Sequence, residues 1–245
     1  MKLEEYLKII EKFLLDYMNN SHTYGYVLGL SGGVDSSTVS LLTKNAVGAD
    51  KLTCIMIPIH SLQEDLIDAL ELVKQHNLNY KIIDASDIFD KYISSFEDIG
   101  IDLDQGSKSN LKARIRMSIL YAYAQKHNLL VLGTDNKDER YTGYFTKYGD
   151  GAADLYPIAK LIKGEVVEAA KILGLSTRLA ERVPSAGLYQ GQTDEKEMGI
   201  KYKDLDDYLL GKKIPEEIVN KIERLHRISE HKRIPVPEPI EFNRD

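Results

Sequence analysis

The chain has 245 residues, which suits one α/β domain with enough apolar content for a core. Its formal charge of −6 gives no electrostatic reason to expect a nucleic-acid partner, and no apolar run approaches the length that crosses a bilayer. The single cysteine, Cys54, cannot close an internal disulfide, and the charged start Met1-Lys2-Leu3-Glu4-Glu5 does not read as a signal peptide, so a cytoplasmic location is expected.

Residues 3–18 carry Leu3, Tyr6, Leu7, Ile10, Phe13, Leu14 and Tyr17 at helical spacing. Asn19-Asn20-Ser21 ends that helix. Val27, Leu28 and Leu30 then form a short apolar strand, followed by the turn Ser31-Gly32-Gly33 and a helix that runs to about Val47, with Gly48 as its stop. Lys51 to Pro58 is a near-continuous apolar strand suited to a sheet covered on both faces. A helix over 62–76 and a strand from Tyr80 to Asp84 follow. Residues 86–106 read as irregular, broken at Ser94-Ser95 and Gly100. From Ser107 to about His127 the spacing is helical again, and Leu129 to Thr134 is a fourth strand.

The stretch from Thr142 to Pro157 is long, polar and glycine-rich, and is expected to shape a site. Glu165 to Leu173 reads as a short helix stopped by Gly174, Pro184 to Asp194 as a flexible loop, and 216–231 as a last helix before a proline-rich tail from Ile234. Strand–helix alternation of this kind argues for an α/β fold. The expectation is a doubly wound, mostly parallel five-stranded sheet with helices on both faces, within a single domain spanning 1–245.

The chemistry starts at Gly29-Leu30-Ser31-Gly32-Gly33-Val34-Asp35-Ser36. A strand that feeds a glycine turn into a helix aims free backbone N–H groups, and the positive end of the helix dipole, at one spot. That is a phosphate site. No lysine follows the glycines, so this is not a Walker loop; an aspartate follows instead. A carboxylate beside polyphosphate needs a cation between them, so Asp35 predicts Mg²⁺. If the first and fourth strands are neighbours, Thr134 lies near the nucleotide and Glu139 could meet Asp35 across the metal. Taken from position alone, Glu139 reads equally well as a solvated residue. Arg114 and Arg116 are two apart on a helix and do not share a face, so each reads by default as a surface ion pair. Lys147, Lys163 and Lys232 read singly as solvated lysines, and His231 as a cap for the last helix.

The Ser-Gly-Gly-Val-Asp-Ser-Ser string resembles the signature of the N-type ATP pyrophosphatases, the PP-loop family, with its adenine nucleotide α-hydrolase-like fold. Further motifs sharpen this. Gly133-Thr134-Asp135-Asn136-Lys137-Asp138-Glu139, the segment Gly143 to Asp154 with its Phe145-Thr146-Lys147-Tyr148-Gly149-Asp150-Gly151 core, Pro184 to Leu188, Gly191 to Glu195 and His231-Lys232-Arg233 resemble the NH₃-dependent NAD⁺ synthetases over the whole chain.

The resemblance implies amidation of deamido-NAD⁺ by ammonia, with ATP as co-substrate cleaved to AMP and pyrophosphate through a nicotinyl-adenylate. It implies that Gly29 to Ser36, Thr134, Lys163 and Ser185 contact ATP, and that Asp35 and Glu139 hold Mg²⁺. Arg114, Lys147, Asp154, His231 and Lys232 would contact deamido-NAD⁺ at the interface of a homodimer. Asp150 is a candidate for deprotonating ammonium, by its position in the glycine-rich loop. The amidase domain and catalytic cysteine of glutamine-using relatives have no counterpart in the sequence, so free ammonia is the expected donor. Rival readings are an enzyme that adenylates another carbonyl, in tRNA or a nucleotide, and a nucleotide sensor without turnover.

Overall fold

The computed structural model describes residues 1–61, 63–183 and 193–244. Four parallel strands form one sheet in the order β3-β2-β1-β4: β1 (Gly25–Gly29), β2 (Leu52–Met56), β3 (Tyr80–Ile82) and β4 (Leu129–Val131). The first three strands step outward in one direction, and β4 returns to the other side of β1, pairing Val27 with Val131. The chain therefore has a topological switch point between β1 and β4, where connections leave to opposite faces and a crevice opens.

Alternation along the strands builds two cores. Tyr26, Leu28, Leu52, Cys54 and Met56 face one side, against α1 (Leu3–Ser21), α2 (Val34–Val47), α3 (Gln63–Gln75) and α7 (Lys163–Ile172). Val27, Ile55 and Val131 face the other, against α4 (Ser86–Glu97) and α5 (Gln105–His127). Strands buried on both faces must be apolar throughout, as β1 and β2 are. A third, smaller cluster lies outside the sheet: Met198, Ile200, Tyr202, Leu205 and Ile222 join α9 (Asp194–Met198), α10 (Tyr202–Leu209) and α11 (Glu216–Ile228). The short helices α6 (Lys137–Thr142) and α8 (Thr177–Ala180) and two 3₁₀ turns, Ala49–Lys51 and Glu230–Lys232, complete the described elements.

Two expectations are corrected. Among the described residues the sheet has four strands, not five. Where a fifth would pair, Leu155 makes only an isolated parallel bridge with Leu132. The Asp154 N–H reaches Val131 O at 2.9 Å, while the Asp154 carboxylate takes the Val131 N–H at 2.7 Å. A side chain thus satisfies β4 where a ladder would continue, and Pro157 has no N–H with which to extend one. Residues 86–97 are also not irregular. Ile88, Phe89, Tyr92, Ile93 and Phe96 fall on helical spacing, and Phe89 and Ile93 pack into the second core. Ser94 and Ser95 do not break α4, because both hydroxyls donate back to Lys91 O, at 3.0 and 2.8 Å.

Among the described residues, no helix is long and apolar enough to cross a membrane.

Candidate functional site

The turn after β1 is held open by its own chemistry. Gly32 has φ +84°, and a Cβ there would lie 2.5 Å from Asp65 O, so the loop needs glycine both for its backbone angle and for its packing on α3. Gly33 is the N-cap of α2, and no side chain caps that helix end. Its first N–H groups are left for a ligand, with Asp35 in the first turn. Ser31, Gly33 and Ser36 close the turn: Ser36 Oγ lies 3.1 Å from Ser31 Oγ and donates to Gly33 O at 3.2 Å. Leu30 and Val34 are buried in the core, and the Leu30 N–H is spent on Ile55 O at 2.9 Å. These two support the loop from beneath.

The fourth strand ends beside it. Thr134 follows β4 at the crevice, and Asn136 then caps α6, its Oδ1 accepting the N–H groups of Asp138 and Glu139 at 3.0 Å each. Glu139 answers with Oε2 on the Asn136 N–H at 3.1 Å, closing a capping box. Meanwhile Asn136 Nδ2 donates to Asp35 Oδ1 at 2.8 Å, so one buried residue links the phosphate loop to the metal-candidate carboxylate of α6.

Lys163 completes the cluster. It starts α7 and is buried, not solvated, with Nζ 2.5 Å from Asp35 Oδ2 and 3.5 Å from Glu139 Oε1. Its backbone N–H is held by Asp138 at 2.9 Å and by Asp206 at 3.1 Å. Burial works against the ammonium, but Asp35 and Glu139 outweigh it and its pKa is raised. Burial, reinforced by Asp35, pushes the Glu139 carboxyl up to about 8 despite Lys163. Tyr202 lies alongside, its ring 4.8 Å from Lys163 Nζ and its hydroxyl 3.0 Å from Asp194 Oδ2.

Asp35 and Glu139 therefore meet across a cation. Two carboxyl groups, of Asp35 and Glu139, converge on one point, and such an oxygen donor set fits Mg²⁺, which takes its remaining oxygens from phosphate and water. Among the described residues, no group of three or more His, Cys, Asp or Glu forms a protein cage.

A second cluster adjoins the glycine-rich loop. Arg114 reaches Lys147 O at 3.3 Å, Lys147 Nζ reaches His231 O at 2.7 Å, and Lys232 Nζ is held by Gly143 O and Phe145 O at 2.7 and 2.6 Å. Four of the residues expected at the dinucleotide are thus brought together. His231 does not cap α11, which ends at Ile228; it lies in a short 3₁₀ turn. Arg116 has no ion pair among the described residues, and instead donates to Ile57 O at 3.0 Å and Ser61 Oγ at 3.3 Å. Asp154 is turned toward β4 and the Tyr121 hydroxyl.

Asp150 keeps an exposed edge, but its carboxyl is ringed by protein, accepts the Thr146 N–H at 3.1 Å, and is raised by desolvation. Asp135 is buried with Oδ2 unpaired, and burial followed by the nearby Asp150 raises its pKa well above the ordinary range. Ser185 and most of the Pro184–Glu195 loop lie outside the described residues.

Sequence reasoning missed Asn136, Asp194 and Tyr202 as individual site residues. For Asn136 the signal was present: Asn-Lys-Asp-Glu is an N-cap with a glutamate three residues on. For Tyr202 there was none beyond a run of acids and tyrosines.

A parallel doubly wound sheet, with an uncapped helix start at its switch point and facing carboxylates, has the build of a polyphosphate-binding α/β protein. Comparison with known proteins makes that class specific. The chain belongs to the NAD synthase family, whose model matches residues 6–236. It is 41% identical to the NH(3)-dependent NAD(+) synthetase of Mesoplasma florum over 100% of both chains, and 40% identical to that of Pyrococcus furiosus over 95% of this chain and 94% of the other. Among solved structures, the NMN synthetase of Francisella tularensis superimposes with TM-score 0.92 at 38% identity, covering 98% of this chain and 99% of the other. The NH3-dependent NAD synthetase of Campylobacter jejuni, determined in complex with the nitrate ion, superimposes with TM-score 0.81 at 33% identity, covering 98% and 100%.

Proposed function

We propose that this chain is an ammonia-dependent NAD⁺ synthetase, a ligase that amidates deamido-NAD⁺ at the expense of ATP and acts in NAD⁺ biosynthesis. Relatives matched over 94% to 100% of their length support the activity. The observation that carries the mechanism is the convergence of Asp35, Glu139 and Lys163 beside the uncapped start of α2.

A nicotinate carboxylate is anionic and offers an amine no leaving group. One carboxylate oxygen attacks the α-phosphorus of ATP, and the bond from that phosphorus to the β-phosphate bridge breaks, releasing pyrophosphate. Ammonia then attacks the carbonyl carbon, gives up a proton, and the C–O bond to AMP breaks. Both steps need orientation and charge stabilisation more than a side-chain nucleophile. The N–H groups of Val34, Asp35 and Ser36 at the start of α2 receive the phosphates, in the turn that Ser31, Gly32 and Gly33 form, with Gly29 and Leu30 beneath them and Thr134 and Ser185 further along the nucleotide. Lys163, held between Asp35 and Glu139, supplies positive charge beside the departing pyrophosphate. Asp35 and Glu139 would hold Mg²⁺, which supplies neutralising charge on the phosphate oxygens when bound. Arg114, Lys147, Asp154, His231 and Lys232 position the dinucleotide. Asp150, whose raised pKa suits a proton acceptor for ammonium, lies in the same loop.

The reading includes a single synthetase domain, a cytoplasmic location and a homodimer. The dimer is supported on the sheet face that carries Arg114, where Ile88 and Tyr92 of α4 are 46% and 50% exposed one helical turn apart.

A second reading concerns the acceptor. The superposition on an NMN synthetase favours a mononucleotide acid as an alternative to deamido-NAD⁺. The test is kcat/KM for both acids with ATP, Mg²⁺ and ammonium. A preference for deamido-NAD⁺ of more than about tenfold supports the first reading; the reverse preference replaces it with the second; turnover of neither overturns both.

A further inference from the structure

Glu139 uses its two carboxylate oxygens differently. Oε2 is committed to the Asn136 N–H inside the capping box. Oε1 is the oxygen that faces Lys163, and its aim is set from the far side by Tyr202, whose hydroxyl lies 3.4 Å away. The same hydroxyl is 3.0 Å from Asp194 Oδ2, so its one hydrogen is shared between two carboxylates, with Asp194 the nearer acceptor. Asp194 Oδ1 lies 3.2 Å from the Tyr144 hydroxyl, whose hydrogen is shared with the nearer Glu197 Oε2. Tyr202 and Asp194 are only 6% and 4% exposed. Buried polar atoms that all find partners hold one geometry, since any other leaves a group unpaired.

These residues come from a different packing unit. Asp194 opens α9 and Tyr202 opens α10, both in the cluster beside the sheet, whereas Glu139, Asp35 and Lys163 belong to elements at the switch point. The Tyr202 N–H is itself held by Glu195 at 2.9 Å, which locks the start of α10 to α9.

We propose that Tyr202 and Asp194 are positioning residues for the reaction: their shared hydrogen bond aims Glu139 Oε1 at the metal–triphosphate and seats the Tyr202 ring against Lys163. Neither residue touches the reacting atoms. They act through Glu139 and Lys163, so the effect belongs to ATP and Mg²⁺ and not to the dinucleotide acid. The proposal rests on the reading of Asp35 and Glu139 as the Mg²⁺ carboxylates.

The test compares Tyr202→Phe with Tyr208→Phe, a hydroxyl deletion on the same helix whose partners are Tyr141 and Glu223. Two readouts are used: the Kd of α,β-methylene-ATP in Mg²⁺ without acceptor, and the kinetic constants with the Mg²⁺ concentration at half-maximal rate. Loss of one such hydrogen bond weakens analogue binding, and raises both KM for ATP and half-activating Mg²⁺, by about three- to tenfold in Tyr202→Phe. KM for the dinucleotide acid stays within about twofold, and Tyr208→Phe stays within about twofold of wild type throughout. Asp194→Asn, which keeps the shape and removes the charged acceptor, is held to the same criteria should Tyr202→Phe fold poorly. Unchanged ATP and Mg²⁺ constants, equal rises for ATP and the acid, or an equal effect of Tyr208→Phe would each overturn the proposal. Glu139→Gln separates the two levels. If it leaves the Mg²⁺ dependence intact, the metal reading has failed; if it abolishes that dependence while Tyr202→Phe changes nothing, the brace alone has failed.

Discussion

Asn136 does two jobs with one amide. Its oxygen caps α6, and its nitrogen holds Asp35. Substitution can separate them. Asn136→Asp keeps a capping oxygen but sets a third carboxylate against Asp35 and Glu139, so the fold is retained while kcat/KM for ATP falls by more than about tenfold. Asn136→Ala loses the cap as well, lowering stability by about 1 kcal/mol, read by denaturant titration. Lys163→Met leaves Asp35 and Glu139 without their buried cation, which costs roughly 3–5 kcal/mol. It should weaken ATP use more than acceptor binding; equal loss of both would remove Lys163 from the ATP side. The sequence singled out Asp35 as a candidate because a carboxylate after a glycine turn has a chemical consequence. Lys163 was not legible from composition or spacing, since a lone lysine reads as solvated until α7 is seen to start inside the crevice.

At the scale of elements, turn and cap chemistry marked most boundaries. Gly48 ends α2 as expected, and Asp104, placed in a loop by its composition, caps α5 through the Ser107 N–H at 2.6 Å. The failures have physical causes. Serines inside α4 hid a helix because their hydroxyls bond within it, and the fifth strand is absent because Asp154 takes its hydrogen bond. One glycine also fixes how elements meet. Gly143 ends α6 at φ +70°, and a Cβ would lie 2.2 Å from Ser229 Cβ. Gly143→Ala therefore pays the left-handed penalty of about 1–2 kcal/mol and forces apart α6 and the end of α11. A lower melting temperature with a raised KM for the dinucleotide acid is the expected result, because Lys232 is anchored on Gly143 O.

Over the whole molecule, the parallel α/β class follows from alternating strand and helix patterns, but strand order does not. Only the structure sets β4 beside β1 and so makes one crevice of two distant motifs. Remote from that crevice, His76 is expected to make stability depend on pH. Its Nε2 is buried without a partner, and burial, with Lys44 adding repulsion, lowers its pKa. A base lowered on folding binds its proton better unfolded, so its stability contribution is intact above the ordinary histidine value and is lost as pH falls through it. His76→Gln should flatten the decline in melting temperature between about pH 7 and about pH 5. At the assembly level, Tyr92→Glu on the exposed face of α4 should convert dimer to monomer in sedimentation; an unchanged dimer would place the interface elsewhere.

The most direct measurement follows an oxygen atom. Deamido-NAD⁺ labelled with ¹⁸O in its carboxylate is incubated with ATP, Mg²⁺ and ammonium, and the products are resolved by mass spectrometry. Adenylation of the carboxylate predicts NAD⁺ and AMP in equal amounts, with one labelled oxygen in the phosphate of AMP and none in pyrophosphate. Label in inorganic phosphate with ADP as co-product, or NAD⁺ formed without labelled AMP, would contradict the mechanism.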